Sequence, residues 1–217
     1  MQGQGAFDMG YRQMGGAWGK RKRLMIGLVA AALLSTPAIA QFSDSYKFLK
    51  GVRDRDGAAV TAAIEQPGST LINTRDYSTG EGALHIVVKR RDPQWLAFLL
   101  AKGAKPDLRD GQGNTPLLLA AQLGFVEGVQ TLVAEKAGVN IANSRGETPL
   151  ILAVHNRDMA TTRTLLAAGA NPLQPDRIAG KSARDYAAED RRSAALLKLL
   201  DEAKPKKPGG KIAGPGL

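Results

Sequence analysis

Four stretches of this chain repeat one another: Gly80-Glu81-Gly82-Ala83-Leu84-His85, Gly113-Asn114-Thr115-Pro116-Leu117-Leu118, Gly146-Glu147-Thr148-Pro149-Leu150-Ile151 and Gly180-Lys181-Ser182-Ala183-Arg184-Asp185. Their leading glycines lie 33, 33 and 34 residues apart. A fixed period of this length marks stacked supersecondary units, each too small to bury its own apolar face. Such a stack offers an extended surface to another macromolecule more readily than it encloses a pocket for chemistry.

The unit beginning at Asp110 shows how each repeat is built. Asp110-Gly111 and Gly113 suit a tight turn that needs positive φ. Thr115 is placed to cap a helix through its hydroxyl, and Pro116 fits the first helical position, where no N–H is required. Ala120-Ala121, matched by Ala153-Val154 and Ala187-Ala188, keep one helix face small enough for a neighbour to approach. Gly124 breaks the helix, and Val126, Val129, Leu132 and Val133 recur at the spacing of a second amphipathic helix. Lys102-Gly103-Ala104 and Ala168-Gly169-Ala170 then put Gly where a left-handed C-cap is wanted. Lys136 holds that position in the third unit and is expected to be strained there or to shift the turn.

These motifs resemble the ankyrin repeat, whose Thr-Pro-Leu-His-x-Ala core stands here as Thr115-Pro116-Leu117-Leu118-Leu119-Ala120 and Thr148-Pro149-Leu150-Ile151-Leu152-Ala153. The resemblance covers roughly residues 44 to 203. It implies an all-α solenoid of about five helix-turn-helix units with short β-hairpin loops, at 44–76, 77–109, 110–142, 143–175 and 176–203. Residues 44–73, with Phe48, Leu49, Val52, Val60, Ile64 and Ile72, read as an N-terminal capping unit, and the last unit as the C-terminal cap. The second unit has Gly82 where the family has Thr, so its first helix is expected to lack a side-chain cap.

The resemblance also implies a binding face on the hairpin tips and the exposed ends of the first helices. In this chain the tips are Arg75, Asp76, Tyr77 and Ser78; Arg109, Asp110 and Gln112; Asn143, Ser144 and Arg145; and Asp176 and Arg177. The helix positions are Lys89 and Arg90, Gln122 and Leu123, and His155 and Asn156. The mixture of Arg with Asp points to a charge-complementary protein partner.

The first forty residues read as a secretory leader: basic Lys20-Arg21-Lys22-Arg23, an apolar run from Leu24 to Leu34, and Ala38-Ile39-Ala40 before a cut between Ala40 and Gln41. The apolar run is only 11 residues, against roughly 20 for a bilayer span. Met9 and Met14 are alternative starts to Met1. The chain has no cysteine, hence no disulfide and no thiolate metal site. A periplasmic or secreted bacterial monomer is the expectation, with residues 204–217, rich in Lys, Pro and Gly, as a disordered tail.

Net charge is +10, but leader and tail hold most of it. Residues 41–203 carry 21 basic and 19 acidic groups, so nucleic acid is not expected as a partner. Lys89-Arg90-Arg91 with Trp95 imitates a stacking platform, yet Trp95 shares a helix with Leu96, Leu99 and Leu100 and reads as packing. Gly180-Lys181-Ser182 imitates the end of a phosphate loop but lacks the earlier Gly, Pro175 standing there. His85 and His155 have no companion ligands at zinc spacing. Asp54/Asp56, Glu189/Asp190 and Asp201/Glu202 read as solvated carboxylates. No catalytic, cofactor or metal set is assembled, so the expectation is a non-catalytic protein-binding module. An enzyme or cofactor binder with an unrecognised site, and a scaffold tethered to a membrane by an uncut leader and basic tail, stand as alternatives.

Overall fold

The computed structural model describes residues 37–203, with side chains from Asp44 onward. The expected leader up to residue 36 and the expected tail at 204–217 lie outside the described residues. The chain divides into two units, 1–43 and 44–217, and the second holds the repeats.

Ten α-helices follow one another among the described residues: α1 Pro37–Asp54, α2 Gly57–Ile64, α3 Ala83–Lys89, α4 Pro93–Ala101, α5 Pro116–Leu123, α6 Val126–Ala134, α7 Pro149–His155, α8 Met159–Ala167, α9 Ala183–Glu189 and α10 Ala194–Glu202. A 3-10 turn, Leu71–Asn73, closes the first pair and another, Arg191–Ser193, opens α10. None of the described helices is long and apolar enough to cross a membrane. In the uncut chain α1 runs across the expected cleavage position.

A local side-chain cap explains six of the ten described helix starts. Thr115, Thr148 and Ser182 accept the backbone N–H of Leu118, Ile151 and Asp185 at the heads of α5, α7 and α9. Asp56, Asp92 and Asp158 do the same for α2, α4 and α8, taking the N–H of Ala59, Trp95 and Thr161. Such caps are each worth about 1 kcal/mol.

Helix ends use left-handed residues. Arg91, Gly124 and Arg157 close the first helices with φ of 53°, 63° and 53°, and Gly103, Lys136 and Gly169 close the second with φ of 90°, 61° and 91°. In each, the following N–H reaches back to a carbonyl five residues earlier, as Asp92 does to Val87 and Ala104 to Leu99. Lys136 is thus in the strained conformation its place in the repeat demanded. Every one of these three units holds one Gly and one basic residue at its two left-handed corners.

The core is continuous. Leu84, Val87, Leu117, Leu118, Leu150, Ile151 and the small Ala120, Ala121, Ala153 and Ala187 are buried between first helices, while Leu96, Leu99, Val129, Leu132, Leu165, Leu196 and Leu200 seal the second layer. Helix α5 packs on α3, α6 and α7, and α7 on α5, α8 and α9. Each extensive helix contact of the described units stays within a unit or joins adjacent ones. Full burial of one such Leu contributes about 2 kcal/mol, so cohesion is a sum of neighbour terms.

The loops differ from the expected β-hairpins. The isolated bridge Arg75 to Gly82 is the strand-type pairing among the described residues. The other loops close by isolated bonds, Asp110 N–H to Asn114 O with Gly113 N–H to Asp110 O, Asn143 N–H to Glu147 O with Gly146 N–H to Asn143 O, and Asp176 N–H to Lys181 O. The reason is competition: Asp110 Oδ1 takes the N–H groups of Gln112 and Asn114, and Asn143 Oδ1 those of Arg145 and Glu147. Those donors are no longer available for a strand ladder.

Candidate functional site

The repeating glycine fixes how closely loops stack. A Cβ on Gly80 would fall 2.5 Å from Gly111 N, and one on Gly146 would fall 2.5 Å from Arg177 N. With their φ of 71° and 83°, these positions exclude any side chain. Adjacent loops consequently join backbone to backbone: Gly111 N–H donates to Thr79 O at 2.9 Å, Ser144 N–H to Gln112 O at 3.1 Å and Arg177 N–H to Arg145 O at 2.9 Å. Four loop tips form one connected edge.

On that edge one residue per loop turns inward. Asp76 accepts from Ser78 Oγ, Ser78 N and Thr79 N and pairs with Arg53 at 2.9 Å. Its carboxyl lies well below the usual range, held there by the Ser78 hydroxyl first and Arg53 next. Asp176 is buried and accepts three backbone N–H groups, from Ile178, Ala179 and Gly180, and the Tyr186 hydroxyl. Burial pushes that carboxyl up, but Tyr186 and the N–H groups outweigh it and hold it low. Tyr186, bonded to that carboxylate, is pushed up to about 12.

Asn143 is also buried, donating to Asn114 Oδ1 at 3.1 Å and to Glu147 Oε2 at 2.8 Å. Asn114, absent from the sequence-based set, thus links the third and fourth units. Arg75, Arg109, Arg145 and Arg177 face outward with Tyr77, Ser78, Gln112 and Ser144. Arg75 Nη1 donates to Arg109 O at 3.3 Å, and Arg109 Nη1 to Ala142 O at 3.2 Å.

At the far ends of the first helices Lys89, Gln122 and His155 recur every 33 residues and are exposed. Lys89 pairs with Glu81. His155 stands edge-on to Tyr186 with ring centroids 4.4 Å apart, in a cleft of about 460 Å³ that Arg157, Asp190 and Arg192 also line. Arg90, Leu123 and Asn156 form the next row. Arg90 donates to the α1 carbonyls of Val52 and Arg53, and Asn156 Nδ2 to Ala121 O and Gln122 O. Leu123 is half-buried against the core.

A motif hidden from the sequence reading runs along the turns between helices. Arg55, Arg91 and Arg157 each adopt positive φ and each reach the following unit: Arg55 pairs with Asp92 at 2.9 Å, Arg91 donates to Leu123 O, and Arg157 Nε donates to Asp190 Oδ2 at 2.6 Å. Two signals were available. Arg91 and Arg157 share a register with Gly124, and Arg55, Arg91 and Arg157 each precede a capping or near-capping Asp.

The residues that imitated other chemistry are engaged locally. Trp95 lies edge-on to Phe98 at 5.6 Å, with the Arg90 guanidinium 5.8 Å from its ring. Ser182 and Asp185 form a reciprocal capping box, and Lys181 pairs with Glu189 at 2.7 Å. Asp54, Asp201 and Glu202 pair with Lys50, Arg184 and Lys198. Among the described residues no group of His, Asp and Glu is arranged to hold a metal ion.

A family model described as ankyrin repeats in three copies matches residues 52–143, 84–176 and 120–208. The chain belongs to the ankyrin-repeat family. Curated proteins similar to it include NF-kappa-B inhibitor alpha of Sus scrofa and of Homo sapiens, each 27% identical over 94 residues, or 43% of this chain. The match spans 30% of the length of those relatives. Ankyrin repeats are protein-interaction modules.

Proposed function

We propose that this ankyrin-repeat chain is a non-catalytic module that binds a protein partner through its loop tips and the exposed row Lys89, Gln122 and His155. The observation that supports this most is the register of the loops. Three backbone hydrogen bonds between neighbouring loops hold their tips as one preorganised edge, which lowers the ordering cost of association. The relatives that match part of the chain are named as inhibitors of another protein, in line with work done by binding. We also propose that the module is exported as a soluble monomer, on the strength of the leader-like residues 1–40.

Crosslinking of the native protein in its own compartment, followed by identification of the captured partner, tests the binding. Capture should be lost on Arg109→Ala with Arg145→Glu while the far-ultraviolet circular dichroism stays that of the parent, any drop in melting temperature reporting only the lost contacts to Ala142 O and Glu147. Capture unaffected by that pair rejects the chosen face. N-terminal sequencing of the soluble exported form should begin at Gln41; a protein retained in the cytoplasm with its leader rejects export.

A further inference from the structure

Arginine and acidic residues alternate along the tips in sequence, yet they are not equivalent in space. The tip and loop carboxylates of Asp76, Glu81 and Glu147 expose only 21%, 15% and 17% of their side chains, and Asp176 only 6% of its residue surface. Three of these four answer to a cation, Arg53, Lys89 and Arg145, and Asp176 to a ring of donors. Arg145 by contrast exposes 58% of its side chain. Arg75, Arg109 and Arg177 are likewise exposed, and none of the three has a carboxylate partner among the described residues. The loop edge is therefore a layered charge: carboxylates beneath, guanidiniums outermost.

Resting on the protein-binding reading above, we infer that this edge takes an acidic, extended segment of the partner, whose carboxylates engage Arg75, Arg109, Arg145 and Arg177 in turn. Each guanidinium has five N–H donors in a planar fork suited to a carboxylate. Arg75 and Arg109 each use one on the next loop, which points the side chain along the edge and leaves the remaining donors for the ligand. Preset guanidinium direction and fixed loop register supply what an isolated surface arginine lacks, since free ion pairs at a surface contribute little. The arrangement favours discrete carboxylates over a nucleic acid. A duplex presents a charge about every 1.7 Å of its axis, whereas the guanidiniums stand one per loop. Ile178, beside Arg177 and 77% exposed, adds an aliphatic contact that a peptide side chain can meet.

The full-length chain is titrated into a fluorescein-labelled peptide of alternating Glu and Gly, with an alternating Lys-Gly peptide and oligo-dT as comparisons, reading anisotropy at low salt. The acidic peptide should bind and the basic one should not. Arg75→Ser with Arg109→Ser and Arg177→Ser should weaken binding about tenfold, the equivalent of three modest ion pairs. Because Arg75 and Arg109 also hold loops, Arg177→Glu serves alone: its guanidinium makes no hydrogen bond among the described residues, so the fold is spared, and binding should fall about threefold. A control with Lys204→Gln, Lys206→Gln and Lys207→Gln should bind as the parent does. Binding that follows the tail and ignores the tips overturns the inference, as does tighter binding of oligo-dT than of the acidic peptide. A captured protein partner indifferent to the tip substitutions also overturns it while leaving the protein-binding function intact; that function fails separately if crosslinking captures no protein.

Discussion

His85 Nε2 lies 3.0 Å from the carbonyl oxygen of Asn114, one unit further along, while its Nδ1 accepts the N–H of Gly82 at 3.1 Å. The neutral Nε2–H tautomer satisfies both bonds at a fully buried ring. The same side chain thereby caps its own helix from within and ties two repeats.

Burial lowers the His85 pKa below its ordinary 6.5. The neutral ring therefore stabilises the fold fully above that value, and the contribution drains away as pH falls below it, because the unfolded chain takes up the proton first. The unfolding free energy from denaturant titrations between about pH 5 and 7 should drop by at most about 1.4 kcal/mol per pH unit on acidification. In His85→Gln that slope should flatten, and His85→Ala should cost about 3 kcal/mol through two unsatisfied backbone groups.

Restoring the family threonine in the second unit should harm it. A Cβ at Gly82 would sit 2.5 Å from Leu108 Cδ2 and 3.3 Å from Thr74 O. Gly82→Thr is therefore expected to lower stability by about 1 to 3 kcal/mol through overpacking, where a cap added in open space would raise it by about 1. Urea unfolding decides the sign.

Lys136 is the odd residue in the series Gly103, Lys136, Gly169, all left-handed. Lys136→Gly should remove strain of about 1 kcal/mol and raise the melting temperature by about 2–4 °C. A calorimetric scan that shows a lower melting temperature would contradict the strain argument.

Gly124 is the gap in the series of arginines that reach into the next unit, and its Cβ position is 3.8 Å from Asp158 Oδ2. Gly124→Ala should cost about 1 kcal/mol for the left-handed corner. Gly124→Arg should recover about half of that by engaging Asp158, a difference that disappears in Gly124→Arg with Asp158→Asn.

The repeat was legible because Gly80, Gly113 and Gly146 answer a hard constraint of close loop stacking, and the starts of α5, α7 and α9 were legible because Thr115, Thr148 and Ser182 follow a local capping rule. Gly82 brings no side-chain cap, as its identity implies, and its own N–H is taken by His85, three residues later, in a geometry that depends on tertiary burial. The tip residues were named by position along the chain. Position alone does not separate Asp76, which folds into its own loop, from Arg75 beside it, since that depends on which N–H groups the carboxylate can reach. The arginines at positive φ were overlooked because an unfavourable conformation leaves no propensity signal; the capping Asp that follows each, and for Arg91 and Arg157 the register with Gly124, betray it.

Loops locked backbone to backbone behave as the graduations of a ruler. A segment recognised along them can be lengthened or shortened by whole modules, added or removed without reshaping any cavity. Recognition in such a molecule evolves by counting.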